Sequence, residues 1–128
     1  SFVKLGLIPG DGGAWFLPRA VGVSNANYMS FTGESIKADK ALQMGLVSEV
    51  LASEKLMARA MEIAQLIAKN PPHAVRLAKQ LIKGSEKSTL DETLDKSASF
   101  QAVCHAEPDH QEAIAAFFEK RDGNYRTR

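Results

Sequence analysis

The residues best placed for chemistry lie near the amino end, in Pro9-Gly10-Asp11-Gly12-Gly13, which runs into a helical pattern. A helix N-terminus presents unpaired backbone N–H groups and a positive dipole end, suited to an anion or to a developing oxyanion. As a phosphate loop the run fails. No Gly-Lys-Ser/Thr follows it, and Trp15 stands where G-x-G-x-x-G needs its third glycine. A tight turn with Asp11 as the helix cap explains the same residues, and the pattern alone favours it. A second candidate is the basic face of Arg76, Lys79 and Lys83, extended by Lys69. Such a row can meet phosphates, but it is more often the solvated side of a helix. Lys120 and Arg121 suit the negative end of a helix, and Asp91, Glu92 and Asp95 suit a positive one. Cys104 and His105 are neighbours, yet nucleophile–base pairs are defined by geometry, so the pattern reads them as a small buried thiol beside a surface imidazole. His73, His105 and His110 form no H-x-x-x-H pair. With one cysteine in the chain, neither an internal disulfide nor a multi-cysteine zinc site is available, and no metal is expected.

The elements that must position these residues are mostly helical. Phe2 to Ile8 (FVKLGLI) is the one good strand pattern, ended by Pro9-Gly10. Asp11 opens a short helix; Pro18 sits in a first turn or bends it, and Gly22 stops it. A second runs from Ser24 to Phe31 before Gly33, and a third from Lys37 to Met44 before Gly45. Leu46 to Leu51 reads as a short strand or an extended connector. Ser53 caps a helix to about Lys69 with Leu56, Ala60, Ile63 and Ile67 on one stripe, and Asn70-Pro71-Pro72 breaks it. Pro72 starts the next, with Ala74, Leu77, Ala78, Leu81 and Ile82 on one face, ending at Gly84. Ser88 to Asp91 resembles a capping box for a helix to about Val103, and Pro108 opens the last one. Met29, Met44, Met57 and Met61 read as core filler, and the tail from Asp122 as loose.

The 128 residues suit one domain or a piece of one, with 45% hydrophobic and 24% charged residues, the usage of a globular chain. The net charge of +1 gives no footprint for nucleic acid or an anionic membrane, and no apolar run approaches a spanning length. A soluble chain of the cytoplasm or an organelle matrix is expected. One strand cannot satisfy its own ladder, so Phe2 to Ile8 needs partners that this chain does not supply. They would lie upstream in a longer protein or in another chain. From the residues alone, no reaction is identified.

Four runs in order carry a resemblance: LGLIPGDGGAWFLPRAVG (Leu5 to Gly22), FTGESIKADKALQMGLVSEV (Phe31 to Val50), AKNPPHAVRLAKQLI (Ala68 to Ile82) and AFFEKRDGNY (Ala116 to Tyr125). Together they resemble the C-terminal half of the enoyl-CoA hydratase/isomerase (crotonase) family. The resemblance implies a mostly α segment with one or two short strands, the helical trimerisation half of the crotonase spiral α/β fold. Residues 1–51 would end the spiral core, and residues 52–128 would form the helical trimerisation region. It implies an acyl-CoA thioester as substrate and no cofactor, and a homotrimer or hexamer. The oxyanion donors and one catalytic glutamate of the family would fall upstream. The second glutamate of hydratases falls at Ser1-Phe2, where Phe2 transfers no proton. Isomerases and dehalogenases of the family place an acid around Gly10-Asp11, which nominates Asp11 for proton transfer. Gly10, Trp15 and Phe16 would then approach the acyl group. Lys120 would reach the CoA nucleotide across a subunit boundary, with Phe100 near a second CoA contact. A non-catalytic module for trimerisation or CoA contact, inert without the other half, is the alternative.

Overall fold

In the computed structural model, residues 2–125 are described; they form a 3₁₀ turn, Phe2–Leu5, followed by six α-helices. The chain divides into two compact units, one up to Lys55 and one from Leu56 onward. Among the described residues there is no strand. The helix-rich architecture agrees with the sequence pattern, but the expected strand at Phe2 to Ile8 does not form. Instead Gly6 N–H donates to Val3 O at 3.1 Å and Leu7 N–H to Phe2 O at 3.0 Å, with Gly6 at φ 68. The physical reason is backbone satisfaction. With no neighbouring strand, these groups pair locally, because unpaired N–H and C=O groups are costly.

In the first unit, α1 (Gly13–Thr32) carries a break at Gly22, whose φ 77 and ψ 160 lie outside the helical range. Gly22 therefore separates two helical segments, as the sequence suggests. Gly33, at φ 58, closes the second by donating to Met29 O. A short α2 follows (Ala38–Gln43). Val21, Ala26 and Met44 form the small core, with Leu17, Met29 and Ile36 packed against it. Leu46 to Leu51 is irregular.

The second unit contains most of α3 (Ser53–Ala68), then α4 (Pro72–Ser85), α5 (Leu90–Ala106) and α6 (Pro108–Glu119). Helix α5 packs against both α4 and α6. Its capping box is formed by Thr89 and Glu92, one residue later than the Ser88–Asp91 expectation. The Glu92 N–H donates to Thr89 Oγ1 at 3.3 Å, and Thr89 N–H donates to Glu92 Oε2 at 2.8 Å. Glutamate has the reach for this reciprocal bond. The helix continues past Val103 until Glu107, which Pro108 holds in extended backbone (φ −80, ψ 140). Two further expectations are corrected. Met57 and Met61 are 69% and 54% exposed rather than core filler. The tail is anchored at Arg121, Asp122 and Asn124, as set out below; Arg126 to Arg128 lie outside the described residues.

Candidate functional site

The turn that enters α1 is built by two glycines and an aspartate. Gly12, at φ 98, occupies the cap position, and a Cβ there would stand 3.1 Å from the Phe16 ring. Left-handed backbone and this close approach together require glycine. Asp11 lies one residue before the cap, and its Oδ1 accepts from Gly13 N–H at 3.1 Å in an Asx-type turn. The expectation of Asp11 as the helix cap is corrected: Gly12 is the cap and receives no side-chain cap bond, while Asp11 closes the turn before it with one carboxylate oxygen. Asp11 is exposed and lines a cleft of about 280 Å³ with Phe2, Gly13, Leu17, Met29 and Glu34.

Gly10 closes onto Ile8 O at 2.8 Å. Neither it nor Trp15 nor Phe16 lines that cleft. Trp15 and Phe16 meet edge to face at 5.0 Å, and the Arg19 guanidinium lies 3.7 Å from the Trp15 ring centroid while Nη1 donates to Trp15 O at 2.9 Å. This stacking fixes the indole by cation–π attraction. Phe16 remains 64% exposed.

Glu34 is a carboxylate that sequence reasoning passed over. Its Oε2 accepts from the Tyr28 hydroxyl, and its backbone N–H donates to Thr32 Oγ1 at 3.2 Å. The hydrogen bond to this carboxylate raises the Tyr28 pKa. Its signal was the helix stop at Gly33, which delivers the next side chain back toward the start of α1.

Phe100 and Lys120 belong to the second unit. Phe100 is half-buried under Lys96, whose Nζ lies 5.4 Å from the ring centroid. Lys120 is exposed and caps α6 at φ 56. Beside it Arg121 forms a bidentate pair with Glu112, Nη1 to Oε1 and Nη2 to Oε2 at 3.1 Å, while Nε donates to Glu119 Oε2 at 2.6 Å. These bonds, together with Asn124 N–H on Glu112 Oε1 at 2.9 Å, bring the Glu112 pKa down to about 2.

Cys104 is half-buried, not buried. It lines a cavity of about 80 Å³ with His73, Glu107 and His110. His73 Nδ1 lies 3.1 Å from Glu107 Oε1, and His105 Nδ1 lies 3.0 Å from His110 Nε2. Among the described residues no cluster of histidine, cysteine or carboxylate side chains has the arrangement of a metal site.

With this geometry in hand, the comparisons decide the family. The sequence model of enoyl-CoA hydratase/isomerase matches residues 1–128. The chain belongs to that family. It is 41% identical over 119 residues to a short-chain-enoyl-CoA hydratase of Clostridium acetobutylicum, covering 93% of this chain and 46% of the relative. It is 34% identical over 125 residues to the 1,2-epoxyphenylacetyl-CoA isomerase of Escherichia coli, covering 98% and 48%. The crystal structure of an enoyl-CoA hydratase from Bacillus anthracis superposes with a TM-score of 0.92 at 38% identity, over 96% of this chain and 48% of that one. The chain therefore spans about half the length of these family members.

Proposed function

We propose that the chain is the C-terminal half of an acyl-CoA enzyme that hydrates an enoyl-CoA or shifts its double bond through a thioester enolate. The family match along all 128 residues at about half the relatives' length carries the acyl-CoA reading, and the four sequence runs support the assignment to the C-terminal half. One relative's name specifies hydration of a short-chain enoyl-CoA and another's the isomerisation of an epoxyphenylacetyl-CoA. The common chemistry is a CoA thioester as substrate. Enolate formation needs a proton moved at the α-carbon and backbone donors for the oxyanion, and neither step calls for a cofactor.

Asp11 is the residue assigned to proton transfer. Gly13 N–H holds Oδ1 and thereby orients the carboxylate. Gly10 keeps the turn tight; Trp15 and Phe16, which do not line the Asp11 cleft itself, are assigned to the wall of the acyl pocket in the intact protein. Phe100 and Lys120 contact the CoA. Residues 1–51 end the spiral core, residues 52–128 form the trimerisation region of a homotrimer or hexamer, and the protein works in the cytoplasm. In the intact protein, Asp11→Asn is expected to lower crotonyl-CoA hydration or 3-enoyl-CoA isomerisation by about 100-fold or more, the usual size of a general acid–base contribution. Unchanged kcat would remove Asp11 from the mechanism.

One observation favours the alternative of a non-catalytic assembly module: the apolar stripe of α3 stands open, with Leu56 57% and Ile67 51% exposed. An intact protein that binds acyl-CoA but turns over neither substrate would support that reading.

A further inference from the structure

Lys120 is the only non-glycine residue with positive φ among the described residues. Arg121 N–H donates to Ala116 O at 3.1 Å and Lys120 N–H to Phe117 O at 3.3 Å, the bond pair that closes a helix through a left-handed residue. Glycine or asparagine usually takes that place, because a Cβ disfavours left-handed backbone. The Lys120 side chain is exposed and makes no ion pair among the described residues. A non-glycine residue persists in this conformation where the surroundings over-determine its backbone.

The surroundings are a clamp. Arg121 grips Glu112 and Glu119 on α6, the Asn124 N–H seals the same Glu112 carboxylate, and Asp122 Oδ2 accepts from Lys69 Nζ at 3.1 Å. The bidentate guanidinium–carboxylate pairing gives the contact a defined geometry. It also occupies two carboxylates that would otherwise attract the neighbouring ammonium. The low pKa of Glu112 keeps the pair charged through the neutral range.

We infer that the Glu112–Arg121 clamp is a positioning device for Lys120: it fixes the left-handed backbone and keeps Glu112 and Glu119 occupied, leaving the Lys120 ammonium for a phosphate-bearing part of the substrate. This rests on the acyl-CoA reading above, in which Lys120 contacts the CoA nucleotide.

The test compares, in the intact protein, an acyl-CoA with the matching acyl-pantetheine, the same thioester without the nucleotide. Arg121→Gln is expected to raise KM for acyl-CoA about fivefold, the size of one surface ion contact, with kcat held. KM for acyl-pantetheine stays, so the preference for CoA shrinks. Glu112→Gln, the milder change, shifts KM in the same direction by less, because Glu119 still holds Arg121. The triple variant Glu112→Gln/Glu119→Gln/Arg121→Gln removes the competing carboxylates and recovers part of the CoA preference. Equal loss on both substrates, with lower kcat and Tm and no recovery, means a merely structural clamp and overturns the proposal. If Lys120→Ala leaves the CoA preference intact, the Lys120–nucleotide contact fails and the clamp's role with it. If Lys120→Ala abolishes the preference while Arg121→Gln keeps it, the contact stands and the clamp proposal alone is refuted.

Discussion

At Gly12 the positive φ of 98 strains any residue with a Cβ, and that Cβ would press on the Phe16 ring at 3.1 Å. Gly12→Ala is therefore expected to destabilise the fold by about 1–3 kcal/mol, the range for a non-glycine residue forced into such backbone, as read from the midpoint of urea unfolding. An unchanged midpoint would show that the turn relaxes. Glu112 gives a pH signature whose sign follows from its lowered pKa. A carboxylate with a depressed folded pKa stabilises the fold above its unfolded value and loses that contribution as pH falls through the folded one. The Tm difference between the unmodified protein and Glu112→Gln should thus be full above about pH 4.5 and fade toward pH 2. A difference that does not depend on pH would mean that the pair contributes shape rather than charge. Asp11 was legible as a turn residue, because a short acid before two glycines favours a local side-chain bond, but the cap itself fell to Gly12. The Glu34 and Glu112–Arg121 contacts were less legible: Gly33 announced a stop but not that Glu34 would meet Tyr28, and Lys120 gave no such signal.

At the scale of elements, the helices could be read because their signals are local. Pro72 and Pro108 mark helix starts, Gly33 marks a stop, and apolar spacing fills the interior. The capping box shows the limit of such reading: two overlapping candidates differ by one residue, and only the reach of Glu92 selects between them. Thr89→Ala removes that cap and should cost about 1 kcal/mol in urea unfolding, with loss concentrated in protection of the first turn of α5 on hydrogen exchange. No loss would mean that Ser88 substitutes. Phe2 to Ile8 failed as a strand for a non-local reason. Alternation predicts a strand only where a neighbour completes the ladder, and a sequence pattern does not carry that neighbour.

For the molecule as a whole, what stands out is how little of its apolar surface is covered. Ile8 is 80% exposed, Leu90 72%, Phe117 78% and Phe118 76%, and no large side chain among the described residues is fully buried. Where such residues adjoin, as Phe117 and Phe118 do at 5.7 Å between ring centroids, they offer apolar surface that another protein could cover. No described helix is long and apolar enough to cross a membrane. The isolated 128-residue chain is expected to self-associate and to bind a hydrophobic dye, as followed by light scattering and fluorescence. A monodisperse chain that excludes the dye would show the exposed faces to be inert. The most direct measurement is turnover of crotonyl-CoA and a 3-enoyl-CoA by the intact protein and by the isolated chain, side by side. Activity in the first and negligible activity in the second is the expected result. Turnover by the isolated chain, or none by the intact protein on any acyl-CoA tried, would contradict the half-enzyme reading.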